Sequence, residues 1–94
     1  MKLSYIYILS NKKRTVLYVG VTSDLFNRIT QHKNSVGSEF TKRYQLKDLI
    51  YCEEFPDINQ AILREKQLKN WRKEWKWNLI KIENPELKDL FPEL

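Results

Sequence analysis

The sequence predicts a small α+β domain, a three-stranded, mainly antiparallel sheet flanked by helices in the order β-β-α-β-α-α. Three observations predict it. Two β-rich segments follow one another across a short polar run near the start. A third apolar segment, Leu49-Ile50-Tyr51-Cys52, precedes a Pro56-Asp57 break. Beyond the break the apolar residues recur at helical rather than strand spacing. The chain has 94 residues, 41% of them hydrophobic, with two glycines and three prolines. That is enough for one core, and the absence of repeats, low-complexity tracts and linkers makes residues 1–94 a single expected domain.

In the first segment, Leu3, Tyr5, Tyr7 and Leu9 alternate with Ser4, Ile6 and Ile8, so both faces carry apolar or aromatic side chains. A strand covered on both sides, and therefore central, is expected. The polar run Asn11-Lys12-Lys13-Arg14 leads into a second strand over Thr15 to Val21, giving a hairpin. Gly20 near its end permits close backbone approach. Thr22-Ser23-Asp24 supplies N-cap candidates for a helix carrying Leu25, Phe26 and Ile29 up to about Lys33. Asn34 to Gln45 reads as a loop containing Phe40-Thr41-Lys42-Arg43-Tyr44, and its length points to a functional role. The third strand is expected within Leu46 to Phe55.

After Pro56, Asp57 or Asn59 can cap a long helix running to about Trp77, with a bend before Leu79 to Ile82, and a short helical tail over Glu86 to Leu90. On a helical wheel Ala61, Leu68, Trp71, Trp75 and Leu79 share one stripe, expected to face the core. Lys66, Lys69, Arg72, Lys73 and Lys76 lie together on the adjacent face, where they could track a phosphate backbone. Glu65 sits at the boundary between stripe and basic face. It has two readings: an ion pair with Lys69 one turn on, worth about 0.3–0.5 kcal/mol, or a carboxylate anchor for a divalent cation.

The formal net charge of +5 favours polyanionic partners, although a solvated lysine-rich surface produces the same balance. One cysteine, Cys52, rules out an internal disulfide, and no Cys/His spacing suits zinc. With a polar N-terminus and no apolar run of about 18 residues, neither a signal peptide nor a membrane span is expected. A soluble cytoplasmic protein follows, monomeric or weakly dimeric.

Single features of the candidate site are weak. Arg28 and His32 share a helix face, but an Asp24–Arg28 ion pair and a packed histidine explain them without function. Their order along the chain is more specific. Tyr5-Ile6-Tyr7, then Tyr18-Val19-Gly20, then Arg28 and His32, then Glu65, resembles the GIY-YIG nuclease family. The resemblance spans nearly the whole chain and is nearest to the short bacterial single-domain members, in which the Phe40–Tyr44 cluster, the Arg64–Lys69 segment and Asn84-Pro85 are typical.

The resemblance implies a Mg2+- or Mn2+-dependent endonuclease acting on DNA in repair or processing, with Tyr7, Tyr18, Arg28, His32 and Glu65 as catalytic residues. In it Glu65 holds the metal, Arg28 grips the non-bridging phosphate oxygens, and Tyr18 takes the proton of the attacking water. Tyr7 orients phosphate or nucleophile by hydrogen bonding, and His32 polarises a tyrosine hydroxyl or shuttles protons. Arg43, Lys69, Arg72 and Lys73 are the nucleic-acid-binding candidates. Two departures stand out. Tyr5 replaces the first glycine of the pattern, and Val21 and Thr22 stand where some members place a lysine, whose role must be absent or fall to His32 or Arg43. A late catalytic asparagine would be Asn70 or Asn78. No appended recognition motif is present, so binding that is structure-selective or weakly sequence-specific is expected. Two other readings stand beside the enzyme: a nucleic-acid-binding module with the fold but little cleavage, and a Trp-rich basic helix serving as a protein or membrane contact surface.

Overall fold

The computed structural model describes residues 2–94. Its sheet is built from β1 (Ser4–Ser10), β2 (Leu17–Thr22) and β3 (Asp48–Phe55), ordered β2-β1-β3. Both pairings are antiparallel. The strand with apolar residues on both faces is the central one, as its pattern requires. Ile6 and Ile8 join Val19, Ile50, Ala61, Leu68 and Ile80 on one side, while Tyr7 and Leu9 join Leu25, Ile29, Leu46 and Leu49 on the other. Burying each large aliphatic side chain contributes roughly 1.5–3 kcal/mol. A bulge between Ile8 and Leu9 shifts the β1–β3 register.

Helix α1 (Leu25–Lys33) starts where expected, with the Asp24 carboxylate accepting from the Asn27 amide. Asp24 also accepts from the Asn27 side chain at 2.7 Å, and Arg28 turns instead to Tyr7 and Gln31. The Asp24–Arg28 ion pair allowed by the spacing is therefore not the arrangement adopted.

Three expectations are corrected. The loop after α1 contains a short helix, α2 (Glu39–Arg43), capped by Ser38, whose hydroxyl accepts from the Thr41 amide. The long helix is two, α3 (Ile58–Lys69) and α4 (Lys73–Glu83). The Asn70 and Trp71 amides tighten onto Gln67 and Leu68 carbonyls, three residues back, and Arg72 is extended with ψ 149°. The break lets α3 pack on β1 and β2 while α4 packs on β3. It also ends the single apolar stripe. Ala61 and Leu68 are fully buried and Trp71 packs against the core, but Trp75 is 50% exposed. Finally, no helix forms over Glu86 to Leu90, and a 3-10 turn covers Phe91–Glu93 instead. Asn84 is buried and bonds the Ile50 and Lys88 carbonyls, tying this tail to β3. Among the described residues no helix is long and apolar enough to cross a membrane.

Candidate active site

Alternation along β1 sends Tyr7 to the α1 side of the sheet, opposite Gly20 of β2. A Cβ at position 20 would stand 2.3 Å from the Tyr7 ring, so the glycine is what lets the phenol lie across the edge strand. From α1, Arg28 and His32 reach the same ring. The Arg28 Nε–H donates to the Tyr7 hydroxyl at 3.3 Å, and His32 Nε2 lies 3.0 Å from it.

The donors and acceptors around His32 fix the direction of this chain. The Thr41 hydroxyl donates to the Ser38 carbonyl at 3.0 Å and lies 3.3 Å from His32 Nδ1. With its own proton committed, the Thr41 oxygen accepts from His32 Nδ1–H. Burial, with the charge of Arg28 adding to it, lowers the His32 pKa to about 4, so the ring is neutral and carries a single N–H. Its Nε2 then accepts the Tyr7 proton, leaving the phenol oxygen free to accept from Arg28. Gly37 makes room for this, since a Cβ there would come within 2.3 Å of His32 Nδ1. Burial pushes the Tyr7 phenol pKa up, against the hydrogen bond from Arg28. Tyr7, His32 and Thr41 are 1%, 2% and 3% exposed, so the chain lies beneath the surface.

Above it lie the accessible groups. Tyr18 is half-buried, its ring centre 6.4 Å from Tyr7 and 6.0 Å from His32. Glu65, from α3, is near enough for its charge to raise the Tyr7 pKa. The Glu65–Lys69 ion pair foreseen from the helix spacing does form, at 3.2 Å, and the same ammonium lies 5.8 Å over the Tyr18 ring. The structure thus brings together Tyr7, Tyr18, Arg28, His32 and Glu65, along with Lys69.

The other basic candidates are arranged differently. Lys73 bonds the Thr15 carbonyl, anchoring α4 to the hairpin. Burial and the charges of Lys69 and Lys73 lower the Lys76 pKa, so these three ammonium groups are neighbours despite the helix break. Arg72 lies over the Trp75 ring and Arg43 over Tyr44. Asn70 and Asn78 are exposed, Asn70 as the C-cap of α3. Sequence reasoning missed Thr41 and Gly37, which hold His32. The available signal was Ser38 three residues before Thr41, a helix-cap spacing inside a segment read as loop.

The family model for the GIY-YIG catalytic domain matches residues 3–78, a span that contains every one of these groups. A UPF0213 protein of Staphylococcus saprophyticus is 36% identical over 76 residues, covering 81% of this chain and 92% of the relative. One from Clostridium perfringens is 35% identical over 78 residues, covering 83% of each. The solution NMR structure of a UPF0213 protein from Bacillus halodurans superposes with a TM-score of 0.58 at 25% identity, covering 93% of this chain and 92% of that one. With a tyrosine pair, an arginine, a histidine and a glutamate gathered in the matched span, the chain belongs to the GIY-YIG family and carries its nuclease-type catalytic domain.

Proposed function

We propose that this protein is a metal-dependent endonuclease that hydrolyses phosphodiester bonds in DNA, with structure-selective or weakly sequence-specific binding, in DNA repair or processing. The observation that carries the reading is the grouping of Tyr18, Arg28 and Glu65 around a buried, directionally hydrogen-bonded Tyr7–His32 pair.

Among the described residues no three His, Cys, Asp or Glu side chains cluster as a metal cage. A lone carboxylate suits Mg2+ or Mn2+, which keep most of their waters and take further oxygens from substrate, and does not suit zinc. Glu65 would hold the ion, which when bound supplies Lewis-acid stabilisation of charge on the phosphoryl and leaving oxygens. Arg28 grips the non-bridging oxygens with its planar fork. As the water oxygen bonds to phosphorus and the bond to the leaving oxygen breaks, the water's proton passes to the Tyr18 phenolate. Tyr18 takes this role because it is accessible and Tyr7 is not. Tyr7 and His32 then act through Arg28, presenting an oxygen that fixes its guanidinium. The phenol's ordinary pKa near 10 makes the rate rise with pH through the neutral and mildly alkaline range.

The test is nicking of plasmid, flapped and branched DNA with Mg2+ or Mn2+, comparing wild type with Glu65→Gln. Metal-dependent cuts that disappear in a variant with unchanged circular dichroism support the enzyme. Cleavage that survives the substitution refutes the metal role of Glu65. One observation favours a second reading, a binding module that cuts poorly: the Glu65 carboxylate is already paired with Lys69. Salt-sensitive DNA binding without cleavage, across both metals and all three substrates, would select it.

A further inference from the structure

The segment Phe40-Thr41-Lys42-Arg43-Tyr44 has two faces, and only one serves the buried chain. Thr41 points in to His32. Phe40 and Tyr44, one turn apart, face out with ring centres 4.8 Å apart and remain 44% and 42% exposed. Phe40 also stacks on Tyr18 at 6.2 Å, its plane inclined by 30°. The three rings form a row running outward from the site. Aromatic residues recruited only for packing would be covered, and two of these are not.

Each end of the row carries cations. The Arg43 guanidinium lies 5.7 Å over Tyr44, while Lys69 lies over Tyr18 with Lys73 and Lys76 as neighbours. Basic groups beside exposed aromatic faces match one kind of ligand, a polyanionic strand whose bases have free faces. Bases within a duplex do not qualify, because their faces are already stacked on their neighbours.

Resting on the nuclease reading of the site, we propose that Phe40 and Tyr44 form a stacking platform for an unpaired base next to the phosphate held at Arg28. The strand's backbone runs over Lys69, Lys73 and Lys76. The substrate class is DNA with a single-stranded segment at the cut, such as a flap, a frayed end or a free strand.

The experiment is metal-free equilibrium binding in EDTA, so it does not depend on cleavage. A single-stranded oligonucleotide carrying 2-aminopurine, whose emission falls on stacking, is compared with the same strand abasic at that position and with the corresponding duplex. Wild type is expected to bind the single strand at least about ten-fold tighter than the duplex, to quench the probe, and to lose roughly five-fold or more on the abasic strand. Phe40→Leu and Tyr44→Leu, checked for unchanged melting temperature, should collapse the preference and the quenching. Phe40→Trp should restore both. Equal affinity for single strand and duplex, an unquenched probe, or equal losses on both substrates in the leucine variants would overturn the platform. A failure here leaves the Glu65→Gln cleavage test intact, and an inactive protein that still quenches the probe separates the two readings in the other direction.

Discussion

At the residue scale, His32 is a histidine held neutral by its surroundings, and this has a pH signature. Its folded pKa of about 4 lies below the unfolded value of 6.5. Between these values the unfolded chain binds the proton that the native ring refuses, so stability is full above pH 6.5 and falls as pH drops toward 4. The shift corresponds to a loss on the order of 3 kcal/mol. Urea unfolding of wild type and His32→Gln across this range should show a slope that the variant lacks in this amount; parallel curves would refute the assignment. Thr41 gives a second test. Thr41→Val leaves His32 Nδ1–H buried without an acceptor, a cost of about 1–3 kcal/mol, whereas Thr41→Ser keeps the oxygen and should stay near wild type. Nitrogen-15 shifts of His32 check the cause, with the Nδ1–H tautomer expected in wild type and in the serine variant. Of this group, Tyr7, Arg28 and His32 were legible in the sequence, because one strand position and one helix turn determine who shares a face. Thr41 was not, because its contact with His32 depends on where a twelve-residue segment folds back.

At the element scale, the strands were legible to within a residue or two, since two-sided burial of β1 is written in its composition. The break at Asn70–Arg72 was not. A wheel drawn through Lys69 and Lys73 continues without interruption, and nothing local forbids a helix there. What ends α3 is tertiary: its partners are β1 and β2, whereas α4's partner is β3. The same break explains why Trp75 lies half-exposed beneath Arg72 while Leu68, on the nominal stripe, is fully buried. The start of α3 was read correctly from Asp57, whose carboxylate accepts from the Asn59 and Gln60 amides at 2.7 and 3.2 Å. Removing that acceptor in Asp57→Ala should cost about 0.5–2 kcal/mol. Because α3 carries both Glu65 and Lys69, hydrogen exchange should quicken first at its N-terminal amides; loss spread evenly over the sheet instead would mean that the cap is not what holds this end. Arg64 pins the helix further on, gripping Glu53 of β3 through two bonds of 2.9 and 3.0 Å.

At the scale of the whole molecule, a net charge of +5 says only that polyanions are attracted. The fold gives that charge a location, because α3 ends and α4 begins beside the edge strand that bears Tyr18, gathering Lys69, Lys73 and Lys76 there. If these lysines and Arg28 each neutralise one phosphate of a single strand, log K should fall against log salt with a slope of roughly −2 to −3, at about 0.7 per contact. Replacing the three lysines by glutamine should flatten that slope by about 2. Arg72→Gln should change it little, because Arg72 is turned onto Trp75 and Glu74. The measurement is fluorescence anisotropy of a labelled single strand in a salt series without metal. An unchanged slope in the triple variant would move the phosphate track elsewhere on the surface. A slope lost equally in Arg72→Gln would show diffuse attraction by the net charge, with no track at the site.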